Sequence, residues 1–150
     1  MIALQCSVSI LCHEVSITAR PLIALVDDDA AILNLLTEIL ADEGYQTISC
    51  RTGSEALEAI QKELPALVLL DMRLEYPESG WIVLEKLRHD PTTMDIPVIL
   101  CTADTRYLRE CEQQLRAQGC DILEKPFDLD TVLEKVNMIV GDLPLMEREA

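Results

Sequence analysis

Basic side chains are scarce in this sequence. Lysine and arginine number 12 against 27 aspartates and glutamates, so the 150 residues carry a formal charge of -15 at neutral pH. Such a chain is repelled by phosphate backbones and by anionic membrane surfaces, so we expect no direct binding to nucleic acid. The acidic excess suits a protein that holds a divalent cation or meets a basic partner, and plain solubility explains it equally well.

Cysteine pairs of the metal-binding type are also missing. The six cysteines form no Cys-x-x-Cys pair, and no histidine lies close enough in sequence to complete a zinc site. We interpret them as free thiols, which favours a reduced, cytoplasmic setting. Cys50 and Cys101 each end an apolar run, where cysteine behaves as a small hydrophobic residue.

A long apolar run is absent as well. Residues 1–20 contain apolar stretches but no basic leading segment, which excludes a convincing secretory signal or membrane span. Four polar residues interrupt these stretches: Ser7, Ser9, His13 and Glu14. We expect residues 1–20 to be a poorly ordered extension, with an extra strand over 7–12 as the alternative, and residues 142–150 to be a short acidic tail.

The remaining residues suit one domain with a proper core, since 49% of the chain is hydrophobic. Five short apolar runs recur with helix-patterned segments between them, which is typical of a parallel sheet with crossover helices. The runs are 22–26, 45–50, 66–70, 97–101 and 121–124. The third and fourth are apolar almost without a break, as central strands covered on both faces require.

The segments between the runs carry apolar residues at helical spacing. The first helix is predicted over residues 30–43, and Gly44 and Gly119 are predicted to end the first and fourth helices. Five apolar residues of the first helix fall on one stripe: Ile32, Leu35, Leu36, Ile39 and Leu40. This alternation predicts an α/β fold with a (βα)5 doubly wound parallel sheet, whose ligand crevice lies at the carboxyl ends of the strands.

Reactive side chains follow the strands at that edge. They are Asp27, Asp28 and Asp29 after the first strand, Asp71 after the third, Thr102 and Ala103 after the fourth, and Lys125, Pro126 and Phe127 after the fifth. Taken singly, Asp29 is explained as a helix cap, Thr102 as a strand-end hydroxyl and Lys125 as a surface charge. Taken together, three carboxylates in one crevice require a compensating cation, for which Mg²⁺ is the natural candidate.

This set of residues resembles the receiver domain of two-component response regulators. The resemblance is carried by the acidic run 27–29, Asp71, Thr102-Ala103, Lys125-Pro126-Phe127 and the segment 80–88, which reads GWIVLEKLR. It implies a receiver domain over residues 21–141, with a flavodoxin-like, five-stranded sheet in the strand order 2-1-3-4-5.

The resemblance implies phosphoryl transfer. Asp71 would take a phosphoryl group from a sensor histidine kinase or a histidine phosphotransfer protein of a two-component system or phosphorelay and form an aspartyl phosphate. Asp28 and Asp71 would bind Mg²⁺ directly, Asp27 through water, and Arg73 through its backbone carbonyl. The protein would assist its own phosphorylation and dephosphorylation without being an enzyme for a separate substrate.

The resemblance also implies a switch. Thr102 would donate a hydrogen bond to a phosphoryl oxygen and move the loop that follows it, while Lys125, aimed by a cis bond to Pro126, supplies a fixed positive charge. Since only residues 142–150 follow the fifth helix, we expect a single-domain regulator without an output domain, which signals to an unknown target by protein contact.

Three features depart from the family pattern or modify it. Gly80 lies nine residues after Asp71 instead of the usual eight, which indicates one inserted residue in the loop. Ile122 occupies a switch position that is usually aromatic, so an aromatic rotation there is excluded. Arg73, Ala103 and Asp104 stand where side chains modulate access of hydrolytic water, and the opposite charges of Arg73 and Asp104 allow a pairing across the pocket.

Other functional classes stay open at this point. A receiver-like module that binds a partner without taking phosphate is one alternative. An aspartate-nucleophile hydrolase or a flavodoxin-like cofactor carrier shares this type of sheet. The hydrolase needs a second acid two residues after the nucleophile, where this chain has Arg73, and the acidic run at 27–29 would repel a flavin phosphate.

Overall fold

The computed structural model describes residues 20–141, so the expectations for residues 1–19 and 142–150 lie outside the described residues. Strands and helices alternate throughout this range. The elements are β1 (Leu22–Val26), α1 (Ala30–Asp42), β2 (Gln46–Cys50), α2 (Gly53–Glu63), β3 (Leu67–Asp71), α3 (Ser79–His89), β4 (Val98–Thr102), α4 (Thr105–Ala117), β5 (Cys120–Glu124) and α5 (Leu129–Val140). Among residues 20–141, no helix combines the length and the apolar character that crossing a bilayer requires.

All five strands pair in parallel, in the order β2-β1-β3-β4-β5. This confirms the doubly wound sheet and its strand order. Every residue of β3 and β4 is buried, because helices cover both faces of the sheet. One hydrophobic cluster joins the sheet to α1 and α5, and a second cluster joins its other face to α2, α3 and α4.

The predicted boundaries differ from the structure by about one residue, as strand and helix ends usually do. β3 and β4 start and end one residue later than predicted, so that Asp71 pairs with Cys101 and Thr102 pairs with Glu124 in the ladder. Gly44 and Gly119 have positive φ angles of 92° and 77°, which confirms the predicted helix ends.

The predicted apolar stripe of α1 is wrong in one respect. The helix buries Leu33, Leu36 and Leu40 against the sheet, whereas Leu35 is 44% exposed. The apolar residues of this segment are so many that more than one helical face could be buried. Contact with the sheet selects the face that carries Leu33, Leu36 and Leu40, which are three and four residues apart. Leu35 instead lines a surface groove beside Phe127.

Candidate functional site

Two adjacent central strands bring Asp27 and Asp71 together. β1 and β3 are parallel, and Val26 pairs with Leu70, so the next residue of each strand emerges at the same edge. Lys125 follows β5, and its ammonium nitrogen lies 3.1 Å from Oδ2 of Asp27 and 3.1 Å from Oδ2 of Asp71. The peptide bond between Lys125 and Pro126 is cis, as the resemblance to receiver domains led us to expect.

Asp28 completes an acidic cluster with these two aspartates. Each of the three offers a carboxylate oxygen, and the oxygens lie within 4.8 Å of one another. Asp27 and Asp71 are 5% and 6% exposed, whereas Asp28 is exposed. One lysine therefore faces three carboxylates, and the uncompensated negative charge and hard oxygen donors fit a cation such as Mg²⁺.

Burial and charge act in opposite directions on these groups. Burial raises the pKa of Asp71, the hydrogen bond and charge of Lys125 oppose this rise, and the nearby charge of Asp27 adds to it. Burial alone would lower the pKa of Lys125, but hydrogen bonds and charges from Asp71 and Asp27 outweigh it, so that pKa is raised. The lysine is thus a permanent positive charge at neutral pH.

Three strand ends are closed by the same short hydrogen bond, in which a side-chain oxygen accepts from the backbone N–H two residues later. We call these the strand-end turns. They join Asp27 Oδ1 to Asp29 N (2.9 Å), Asp71 Oδ1 to Arg73 N (3.2 Å), and Thr102 Oγ1 to Asp104 N (3.1 Å). Because the bond is local, it folds the chain at each strand exit without help from another element.

Two of the residues that close these turns also cap helices. The side chain of Asp29 accepts from the N–H of Ala31 at 2.9 Å and begins α1, as the capping explanation of Asp29 predicted. The side chain of Asp104 accepts from the N–H of Tyr107 at 3.5 Å and begins α4. The hydroxyl of Thr102 is therefore linked through Asp104 to the first turn of α4.

Arg73, Ala103, Asp104 and Thr102 line one cleft. All of these except Asp104 also line the acidic pocket that contains Asp71, so the cleft forms the mouth of that pocket. The side chains of Arg73 and Asp104 are both exposed, and within residues 20–141 they form no ion pair with each other. The structure thus brings the two residues to one cleft but does not form the pairing that their charges allow.

The contacts of two residues that shape the pocket could not be predicted as such from the sequence. Arg51 follows β2, and its Nη2 donates to the backbone carbonyl of Asp28 at 3.1 Å. Gly80 lies against the exit of β3, where an added Cβ would meet Met72 Cα at 2.5 Å and the carbonyl oxygen of Asp71 at 2.6 Å. The position of Arg51 after a strand next to β1 was a usable signal, whereas the packing of Gly80 was not visible in the sequence.

An apolar groove lies beside Lys125, at the edge of the acidic pocket. It is lined by Ile32, Leu35, Leu36, Ala103, Lys125, Pro126, Phe127 and Leu129. The groove joins α1 to the loop between β5 and α5, and we refer to it below as the α1 groove.

Comparison with known proteins decides the family. The sequence model of one protein family, the response regulator receiver domain, matches residues 23–137 of this chain. This chain belongs to the response regulator receiver family. It is a receiver domain of two-component signalling, and its acidic cluster fits the phosphoacceptor site of that family.

Relatives and solved structures agree with this assignment. The polar-differentiation response regulator DivK of Brucella ovis is 32% identical over 122 residues, which cover 80% of this chain and 96% of DivK. NtrX from Brucella abortus has 27% identity and a TM-score of 0.69, and the match covers 82% of this chain but only 27% of the NtrX chain. This chain thus corresponds to a minor part of NtrX.

A third protein shares the fold. The receiver domain of the sensor histidine kinase PA1611 from Pseudomonas aeruginosa has 22% identity and a TM-score of 0.70, with coverage of 83% of this chain and 100% of that domain. Its structure contains a magnesium ion coordinated in the active-site cleft. At this level of identity the likeness establishes the fold alone.

Ile122, at the position where the resemblance leads us to expect an aromatic residue, lies near α4. Ile122 is partly buried and packs against the hydrophobic cluster that includes α4 residues. Tyr107 of α4 forms an aromatic pair with Trp81, and the ring centroids lie 5.9 Å apart in an edge-on arrangement. Both rings line a cleft with Arg73 and Thr102.

Proposed function

We propose that this receiver domain accepts a phosphoryl group on Asp71 from a histidine kinase or a histidine phosphotransfer protein, and that it signals by contact with another protein. The observation that supports this most directly is the pair of 3.1 Å contacts from Lys125 to Asp71 and Asp27, next to the exposed carboxylate of Asp28. Phosphoryl transfer depends on positioning and on neutralising charge, and this set of groups is suited to both.

The proposed step is a simple displacement at phosphorus. A carboxylate oxygen of Asp71 attacks the phosphorus of a phosphohistidine, the new P–O bond forms, and the P–N bond breaks with its electron pair left on the imidazole nitrogen. Lys125 faces the negative charge of the transferred group. The product is an aspartyl phosphate on Asp71.

Mg²⁺ is the cofactor in this proposal. Asp28, Asp71 and the backbone carbonyl of Arg73 would hold the ion, with Asp27 contributing through water. When bound, the ion neutralises the phosphoryl oxygens. The magnesium ion in the receiver domain of PA1611 supports the choice of metal.

Thr102 is the proposed origin of the switch. Its oxygen accepts from the N–H of Asp104, which leaves the single hydroxyl hydrogen available for a phosphoryl oxygen. Movement of Thr102 toward that oxygen would pull Asp104 with it. Because Asp104 caps α4, the start of α4 would move as well. This route does not need the aromatic side chain that Ile122 replaces.

Control of dephosphorylation is assigned to the mouth of the pocket. Arg73, Ala103 and Asp104 would admit or block hydrolytic water, so that the domain assists its own phosphorylation and its own dephosphorylation without acting on a separate substrate. We place this activity in the cytoplasm, where histidine kinases present their phosphohistidine and where free thiols such as those of Cys50 and Cys101 persist.

The α1 groove is the proposed docking surface for the phosphodonor. Leu35 is 44% exposed at its rim, and Lys125 lines both the groove and the acidic pocket, so a helix seated there would carry its phosphohistidine toward Asp71. Apolar contact would supply affinity, and the adjacent charges would orient the phosphoryl group.

The test is direct chemical phosphorylation. Wild-type protein incubated with acetyl phosphate and Mg²⁺ is expected to gain one phosphate by intact-mass spectrometry, and Asp71→Asn is expected to gain none. Asp121→Asn, a matched substitution in β5 outside the acidic cluster, should be labelled like wild type. An unlabelled wild type would favour a receiver-like module that binds its partner without phosphate, and a labelled Asp71→Asn would place the acceptor elsewhere.

A further inference from the structure

The loop between β3 and α3 carries a carboxylate that reaches a neighbouring helix. Oε1 of Glu75 accepts a hydrogen bond from the backbone N–H of Gly53 at 2.9 Å. Gly53 is the first residue of α2, where backbone N–H groups have no partner within the helix. A carboxylate is also stabilised there by the positive end of the helix dipole. Glu75 therefore attaches this loop to α2.

Gly53 provides the space for this contact. An added Cβ at Gly53 would lie 3.1 Å from Cγ2 of Val83 and 3.7 and 3.8 Å from the two carboxylate oxygens of Glu75. The carboxylate is thus packed against the start of α2, close to the first turns of α3, even though much of Glu75 is exposed.

The same loop is fixed on both sides of Arg73. Before it, the N–H of Arg73 donates to Asp71 Oδ1 at 3.2 Å. After it, Leu74 is only 6% exposed and belongs to the core, and Glu75 binds Gly53. Arg73 therefore has little freedom to move its backbone, although its side chain is exposed.

Glu75 also lines the same pocket as Asp28 and Asp71. Its attachment to α2 decides where a fourth negative charge lies relative to the acidic cluster. The loss of the attachment would free both this charge and the backbone next to Asp71. These two effects are separable by substitution, because one depends on charge and the other on a hydrogen-bond acceptor at the right reach.

We infer that Glu75 is a positioning residue of the phosphoacceptor site: by binding the N-terminus of α2 it holds the backbone of Arg73 where its carbonyl can ligate Mg²⁺. This rests on the proposed function, which assigns that carbonyl to the ion. The resemblance leads us to expect one inserted residue in this loop, and a longer loop has more conformations for such an attachment to restrict.

The experiment compares Glu75→Ala and Glu75→Gln with wild type. Glutamine keeps an oxygen acceptor at the same reach and removes the charge. Glu78→Ala is the matched control, because Glu78 is a carboxylate of the same loop that makes no side-chain capping bond. The first measurement is hydrogen exchange of the Gly53 amide in metal-free protein, and the second is the Mg²⁺ dissociation constant from titration of Trp81 fluorescence or from calorimetry.

Glu75→Ala is expected to speed exchange of the Gly53 amide and to raise the Mg²⁺ dissociation constant about tenfold, the lower end of the effect of losing a group that orients a metal ligand. Glu75→Gln should restore both values to near those of wild type, and Glu78→Ala should change neither. If Glu75→Ala is poorly folded, Glu75→Asp replaces it, because aspartate keeps the charge but is too short to reach Gly53. Glu75→Asp is then expected to show both faster exchange of the Gly53 amide and weaker Mg²⁺ binding.

Equal Mg²⁺ affinities for Glu75→Ala and Glu78→Ala would overturn the inference, because charge alone would then explain any change. A Gly53 amide that exchanges as fast in wild type as in Glu75→Ala would also overturn it. These outcomes are separate from the proposed function, which fails if wild-type protein takes no phosphate from acetyl phosphate, whatever the result for Glu75.

Discussion

The ammonium nitrogen of Lys125 lies 3.1 Å from Oδ2 of Asp71, and this contact joins the edge strand β5 to the central strand β3. Asp27 shares the same ammonium at 3.1 Å. In residues 20–141 neither aspartate forms an ion pair with any other basic side chain. The lysine therefore has a structural role, as the cation that faces two nearly buried carboxylates, in addition to its proposed role in phosphoryl transfer.

Lys125→Met is expected to lower the free energy of unfolding by about 3 kcal/mol in the absence of Mg²⁺, because it leaves two nearly buried carboxylates without their cation. Added Mg²⁺ should recover part of the loss, since it supplies positive charge to the same carboxylates. Urea unfolding with EDTA and with Mg²⁺ measures both values. Lys135→Met is the control, because its more exposed pair with Asp121 at 3.2 Å should contribute about 1 kcal/mol or less. Equal losses for the two variants would contradict the role given to Lys125.

Gly80→Ala is expected to destabilise the protein by about 3 kcal/mol, because the new methyl group would overlap the backbone of Met72 and of Asp71 and force it to move. The same movement should slow labelling by acetyl phosphate. Gly44→Ala is the matched control: its φ of +92° is unfavourable for alanine, but nothing lies within 4 Å of the added Cβ. It should cost about 1 kcal/mol and leave labelling unchanged. Normal labelling of a folded Gly80→Ala protein would show that the contact does not position Asp71.

Cys101 is expected to resist alkylation in the native protein. Burial raises the pKa of its thiol to about 12, so the reactive thiolate is absent at neutral pH. The buried, protonated thiol contributes its full stability to the fold below pH 9.0, the usual pKa, and this contribution is lost as the pH rises from 9.0 toward 12. Peptide mapping after N-ethylmaleimide treatment should find Cys101 modified only in urea. Cys111 is partly exposed and serves as the internal control, modified without denaturant. Labelling of both at the same native rate would contradict the burial of Cys101.

Leu35→Asp is expected to separate docking from chemistry. It places a charge at the rim of the α1 groove and leaves Asp71, Lys125 and the metal ligands unchanged, so labelling by acetyl phosphate should match wild type. Transfer from any phosphorylated histidine kinase that labels wild type should slow at least about tenfold, because docking would bury the introduced carboxylate without a partner. Ile82→Asp, at a similarly exposed position on α3, should not slow transfer. Equal effects of the two substitutions would exclude the groove as the docking surface.

The gathering of Asp27, Asp71 and Lys125 was predictable, because parallel strands end at one edge of the sheet and each residue directly follows an apolar run. The buried face of α1 was not predictable, because its many apolar residues fit several stripes and only packing against the sheet selects Leu33 over Leu35. The contacts that charged loop residues form could not be predicted from the sequence either. Glu75 lies 22 residues from Gly53, and a glutamate in a loop is indistinguishable from a solvated surface charge until the fold is known.

The strand-end turns have a consequence for how an ion would bind. Asp27 and Asp71 each use one oxygen to close a turn and the other to accept from Lys125, so contacts within the protein already hold both side chains. Little conformational entropy remains to be lost on binding. Affinity should then depend mainly on the attraction between the ion and the three carboxylates. Because Asp27 and Asp71 are nearly buried, added salt should screen this attraction less than it screens charges on the open surface.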